Sequence, residues 1–172
     1  MNIPNILTLF RLLLVPLFAW LVLAEGNWWL AAGVFVLAGL TDVLDGYIAR
    51  KFNMITDIGK VFDPLADKLM QVTAVLCLYL CGMLPPWVLW LIVVKECTMV
   101  VTAVYMFIRK VVTYSDWYGK AATVVFYAAV LLIMISGNGA EPYGVYPFVL
   151  AVCAVFPGLG YLIRLIKKGT KP

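Results

Sequence analysis

Runs of about twenty predominantly apolar residues recur along this chain, and no other feature restricts its folding as strongly. A helix of that length spans roughly 30 Å, the thickness of a bilayer's hydrocarbon core, and satisfies its backbone polar groups internally. Reading for such runs gives Ile6–Ala24, Trp28–Arg50, Asp63–Leu84, Trp87–Lys110, Trp117–Gly137 and Tyr143–Ile166. Turn signals separate them at Glu25-Gly26-Asn27, at Pro85-Pro86 and at Ser136-Gly137-Asn138-Gly139. Hydrophobic residues make up 65% of the chain and charged residues 13%, whereas a soluble domain is roughly a quarter charged. The expected fold is therefore all-α and integral to a membrane, with six transmembrane helices. No polar or Gly/Ser-rich linker divides the chain, so residues 1–172 are expected to form one domain.

The first run is read as a span rather than a cleaved signal, because Arg11 interrupts it and no small-x-small cleavage site follows. Orientation follows from the basic residues. Arg50, Lys51 and Lys60 follow the second run; Arg109, Lys110 and Lys120 lie around the junction after the fourth; Lys167, Lys168 and Lys171 end the chain. The alternate loops, near Glu25, Pro85 and Glu141, carry no Lys or Arg. A multi-pass protein of the cytoplasmic membrane with both termini cytoplasmic satisfies this asymmetry. The basic tail then faces anionic headgroups, and no nucleic acid is expected as a partner. Trp28, Trp29, Trp87, Trp117 and Tyr143 lie at run ends and read as an interfacial belt. Cys77, Cys81, Cys97 and Cys153 have no recurring spacing and read as packed thiols.

Charges within spans are costly and point to function. Asp42 and Asp45 close the second run, and Asp63 and Asp67 open the third. Spacings of three and four residues put each pair on one helix face, and the short stretch from Lys51 to Phe62 lets the pairs meet. Clustered carboxylates repel unless cations compensate. The chain has no histidine, so oxygen donors would hold a hard ion such as Mg²⁺, Mn²⁺ or Ca²⁺. The alternative is that the aspartates are helix caps paired with Arg50, Lys51, Lys60 and Lys68. Gly46 and Ala49 lack bulk beside the carboxylates, Arg50 is placed to meet a phosphate, and Gly59 permits a tight approach or positive φ before the third helix.

The run D-x-x-D-G-x-x-A-R, eight residues, then G-x-x-x-D-x-x-x-D, from Asp42 to Asp67, resembles the signature of the CDP-alcohol phosphotransferase family at every fixed position. The resemblance implies a cytoplasm-facing site that transfers a substituted phosphate from a CDP-linked lipid to an alcohol, releasing CMP. It implies that Asp42, Asp45 and Asp63 hold a divalent cation (Mg²⁺ or Mn²⁺) with Asp67 able to share it. It further implies that Asp67 deprotonates the acceptor hydroxyl, and that Gly46, Ala49 and Arg50 line the CMP moiety. It also suggests a homodimer.

The opening Asn2-Ile-Pro4-Asn5-Ile-Leu-Thr8-Leu-Phe-Arg11 and the run Asp63-Pro64-Leu-Ala-Asp67-Lys68 are similar to phosphatidylglycerophosphate synthases and to CDP-lipid-dependent cardiolipin synthases of that family. The resemblance implies CDP-diacylglycerol as donor, contacted by Asn5, Thr8, Asp42, Gly46, Ala49, Arg50 and Gly59, and glycerol 3-phosphate as acceptor. Read without the resemblance, the opening is an interfacial helix start, with Asn5 capping and Arg11 snorkelling. The second half departs from the synthase pattern: Lys95-Glu96 replaces an Arg-Glu pair, Ala103 a later Arg, and Ala122 a second lysine. Lys60, Arg109, Lys110, Lys120 or Arg164 are the candidates to hold an acceptor phosphate instead. Phosphatidylglycerol or another polyol remains the alternative acceptor, and a small transporter or cation channel the remote one. Lys95 and Glu96, adjacent in mid-span, are expected to point in different directions, with Glu96 inward near Lys120; the alternatives are a buried structural pair or Lys95 meeting an aspartate.

Overall fold

The structure, a computed structural model, describes residues 3–51, 57–108, 117–136 and 147–152. Among them all regular structure is helical: α1 (Ile3–Leu23), α2 (Trp28–Lys51), α3 (Asp57–Leu80), α4 (Pro86–Ile108) and α5 (Trp117–Ser136). Residues 147–152 add a further helical stretch within the expected sixth span, the rest of which lies outside the described residues. Among the described residues two segments, Ile6–Leu23 and Trp28–Gly46, are long and apolar enough to cross a membrane. Two compact units divide the chain: Met1–Gly82 with Met134–Gly139, and Met83–Ile133 with Ala140–Pro172.

α2 and α5 begin at the tryptophans expected of them. The third helix does not follow expectation: it starts at Asp57 rather than Asp63 and ends at Leu80 rather than Leu84. Polar residues at its start read as a loop, yet a membrane helix can run on past the apolar boundary, where its side chains meet water. Gly59 thus lies in the first turn of α3, so of the two expectations for it, a tight approach or a positive φ, the helical backbone excludes the second. That conformation falls instead to Gly82, at φ 75°, where the N–H of Gly82 donates to the Tyr79 carbonyl at 2.9 Å and ends the helix. Asn5 lies inside α1, so it is not the helix cap.

In the first unit, α1 packs against both α2 and α3, which meet each other far less. α1 and α2 form a helical hairpin around Gly26, whose φ of 61° permits the reversal. The Asn27 N–H donates to the Leu21 carbonyl at 3.0 Å, and the Asn27 Oδ1 accepts from the Leu30 N–H at 3.2 Å, capping α2. The buried face of α1 runs through Thr8, Arg11, Leu14, Phe18 and Leu21, and that of α2 through Ala31, Phe35, Ala38, Thr41 and Asp45. Phe18 and Phe35 lie at similar distances along the chain from Gly26, and their rings meet at 5.7 Å. The outward faces carry Leu13, Leu17, Trp20, Trp29, Leu37, Leu40 and Val43. Apolar residues cover both faces of this hairpin, and the polar ones turn inward. That is the pattern of helices surrounded by lipid, where small residues and close contact, rather than escape from water, hold helices together.

In the second unit, Pro86 opens α4, a position where its missing N–H costs nothing, and the Val88 N–H donates to the Pro85 carbonyl at 3.1 Å. Val88, Ile92 and Glu96 form its buried row, and Phe126, Ala129, Val130 and Ile133 that of α5. Trp87 meets Phe148 edge-on at 5.7 Å. Of the described cysteines only Cys77 is packed; Cys81, in the turn after α3, and Cys97, on α4, are exposed, contrary to expectation.

Candidate active site

Arg11 is the largest departure from the sequence reading. It does not snorkel: its accessibility is 0%, and its guanidinium meets both Asp42 and Asp45. Nη1 lies 2.8 Å from Asp42 Oδ1, and Nη2 donates to Asp45 Oδ2. Arg11 lies in the interior of α1, away from both helix ends. It also lies almost as far before Gly26 as Asp42 lies after it, so the antiparallel hairpin brings them level. A desolvated guanidinium costs several kcal/mol unless paired, and the two carboxylates supply that pairing. The pairing is incomplete in geometry: Nε and Nη1 make no hydrogen bond within the described structure, Nη1 being close to Asp42 but off line. Asp45 is buried and Asp42 part-exposed, its side chain 39% accessible, so the pair opens on one side.

Asp67 stands on α3 in a second polar group. The Gln71 Nε2 donates to Asp67 Oδ2 at 2.9 Å, and the Lys68 Nζ donates to Gln71 Oε1 at 3.4 Å. Lys68 Nζ is 4.0 Å from the same carboxylate oxygen, a loose ion pair. Gln71 is buried, so one edge of Asp67 is fixed from within the helix packing. Sequence reasoning missed both Gln71 and the pairing of Arg11 with Asp42 and Asp45. Gln71 was readable, lying four residues after Asp67 on the same helix face.

Asp42 and Asp45 do share a face, since one guanidinium reaches both. Thr8 is buried one turn before Arg11, and Gly46 is half-buried. Asn5 lies on α1, Ala49 and Arg50 on α2, Gly59, Lys60 and Asp63 on α3, and Lys120 on α5. The side chains of these seven, and Arg109, Lys110 and Arg164 altogether, lie outside the described residues. Among the described residues no three acidic, Cys or His side chains gather into a metal-holding group. The donor chemistry nonetheless suits a hard divalent ion. Arg11, Asp42 and Asp45 together keep one formal negative charge, and their carboxylates already converge on a cation.

Of the arrangements expected for Lys95 and Glu96 the structure shows the buried pair: Glu96 is turned inward, and the Lys95 Nζ donates to Glu96 Oε1 rather than pointing away from it. Glu96 is buried, and a long lysine stem can fold back to an adjacent carboxylate where the alternative is a lone charge in apolar surroundings.

The model of a family described as CDP-alcohol phosphatidyltransferase matches residues 1–159. A probable phosphatidylglycerophosphate synthase of Mycobacterium tuberculosis is 34% identical over 96% of this chain and 82% of its own length. A CDP-diacylglycerol–glycerol-3-phosphate 3-phosphatidyltransferase of Aquifex aeolicus is 37% identical over 72% of this chain and 70% of its own. A CMP-forming cardiolipin synthase of Streptomyces coelicolor is 35% identical over 81% of this chain and 68% of its own.

Proposed function

The chain belongs to the CDP-alcohol phosphatidyltransferase family, and from that premise we propose that it transfers a phosphatidyl group from CDP-diacylglycerol to glycerol 3-phosphate, yielding phosphatidylglycerophosphate and CMP. The observation that carries this reading is similarity to relatives named phosphatidylglycerophosphate synthase and CDP-diacylglycerol–glycerol-3-phosphate 3-phosphatidyltransferase, within a family match across residues 1–159 that takes in the whole aspartate motif. Family membership also removes the motive for a transporter or channel. Six spans with both termini cytoplasmic, a site on the cytoplasmic side and a homodimeric assembly belong to the same reading, supported by the basic-residue asymmetry and the resemblance.

Asp42, Asp45 and Asp63, with Asp67 in support, would hold Mg²⁺ or Mn²⁺. Bound there, the ion supplies neutralisation of the pyrophosphate and polarises the phosphorus under attack. Gly46, Ala49, Arg50, Gly59, Asn5 and Thr8 bind and orient the CDP-lipid, leaving its acyl chains in the bilayer. Asp67 accepts the proton of the acceptor hydroxyl as that oxygen forms a bond to the lipid-bearing phosphorus. The bond from that phosphorus to the bridging oxygen breaks, and CMP leaves with the electron pair. Gln71 contributes by fixing one oxygen of Asp67, so the base does not need to find its orientation anew in each turnover.

Lys60, Arg109, Lys110, Lys120 and Arg164 are the residues proposed to hold the phosphate of the acceptor. The second reading has phosphatidylglycerol, giving cardiolipin, or another polyol as acceptor. It is favoured by Lys95, Ala103 and Ala122 at positions where the synthases carry Arg, Arg and Lys, and by similarity to a cardiolipin synthase at 35% identity. One experiment separates the readings. The purified enzyme is supplied with CDP-diacylglycerol, Mg²⁺ or Mn²⁺ and a panel of alcohols, and the lipid product is identified by mass. A phosphatidylglycerophosphate product requiring glycerol 3-phosphate is expected; cardiolipin alone would replace the first reading with the second.

A further inference from the structure

The fully buried guanidinium of Arg11 touches two carboxylates assigned to the metal. A guanidinium offers five donors, and in a low-dielectric interior each one left unpaired is costly. Arg11 leaves Nε and Nη1 without hydrogen bonds in the described structure, yet has two acidic partners on one neighbouring helix. It is therefore held by charge more than by fork geometry. Charge is also what Asp42 and Asp45 need when no metal compensates them, because two neighbouring carboxylates, one of them buried, otherwise repel.

We propose that Arg11 is a positioning residue of this site: a built-in counter-cation that holds Asp42 and Asp45 in ligating posture and competes with a divalent ion for their oxygens. The inference rests on the assignment of these aspartates as metal ligands and adds the α1 residue that tunes them. Two consequences follow. The metal-free protein keeps α1 docked on α2, because the guanidinium takes over the neutralising charge. Metal binding is weaker than the acidic cluster alone would give, because the entering ion meets carboxylates already partly neutralised, and a cation at close range repels another. Such attenuation suits a site whose ion must also accommodate an arriving pyrophosphate and a departing CMP.

The test measures Mn²⁺ binding by the electron paramagnetic resonance of the free ion, and thermal unfolding in detergent with EDTA or with Mn²⁺. It uses the full chain as wild type, Arg11→Gln and Arg11→Lys. Arg11→Gln is expected to bind Mn²⁺ about tenfold more tightly or better, to unfold earlier in EDTA, and to gain more from Mn²⁺ than wild type does. Its kcat is expected to fall roughly 100-fold with little change in the KM for CDP-lipid. Arg11→Lys, which keeps the charge, is expected to hold Mn²⁺ affinity within about threefold of wild type and to restore most of the activity. Unchanged or weaker Mn²⁺ binding by Arg11→Gln overturns the role of Arg11 while leaving the metal assignment intact. Absence of Mn²⁺ binding by the wild type overturns both. Recovery of Arg11→Gln only when divalent metal is present throughout supports the proposal, since the ion then replaces the missing charge. If Arg11→Gln cannot be recovered under any condition, Arg11→Lys decides, and less than about one hundredth of wild-type activity there overturns the proposal.

Discussion

The first unit and the second each bury an ion pair in apolar surroundings, but they build it in opposite ways. In the first, Arg11 on α1 reaches Asp42 and Asp45 on α2, so the charges bind two helices together and exist only when the hairpin has formed. In the second, Lys95 meets its own neighbour Glu96 on α4, so this contact lies within one helix. The first contact carries information about the fold, because it joins residues of two helices. The second removes a local penalty and leaves a compact polar patch on a buried face. With the aspartates as metal ligands, the donor chemistry belongs to the first unit. Glu96 belongs to the half of the chain where the acceptor pattern of the synthases has diverged.

That contrast can be broken by substitution. The largest effect is expected from Asp45→Asn, which leaves the buried Arg11 with one acidic partner fewer. Removing one member of a buried pair costs about 3–5 kcal/mol. Thermal unfolding should register that loss, and CMP release should fall by roughly 1,000-fold through loss of a metal ligand. Wild-type CMP release by this variant would sink the assignment of Asp45 to the site. A smaller effect is expected from Gln71→Ala, which frees Asp67 from its 2.9 Å hydrogen bond. The kcat should drop by about 10- to 100-fold, with the KM for CDP-diacylglycerol little changed. An effect confined to that KM would mean that Gln71 serves the donor instead. The smallest effect is expected from Glu96→Gln, which keeps the shape and removes the charge that Lys95 meets. The KM for the acceptor should shift by around tenfold while the KM for CDP-diacylglycerol stays put. A shift in the donor KM of equal size would erase the division of labour between the units.

Much of the architecture was legible because membrane helices announce themselves in composition. Trp28 and Trp117 mark the starts of α2 and α5 to the residue. The start of α3 was misjudged because Asp57 to Lys60 are polar, and polarity outside the hydrocarbon does not distinguish helix from loop. Asp42 and Asp45 were placed on one face by their spacing alone, and the structure agrees. The partner of Asp67 followed the same rule and could have been found. Arg11 could not: its sequence position gave a charge in an apolar run, and snorkelling is a common resolution of that cost.

By itself the sequence determined that this chain is helical and membrane-bound, that its carboxylates pair along helix faces, and which family it belongs to. Those properties depend on local composition, three- and four-residue spacing and a fixed motif. Only the tertiary structure decided which charge answers which. The α1–α2 hairpin turns at Gly26 and brings Arg11 level with Asp42 and Asp45, residues far apart along the chain. In a low-dielectric interior a cation must pair with whatever the packing brings near, and spacing along one helix does not encode its neighbour across another.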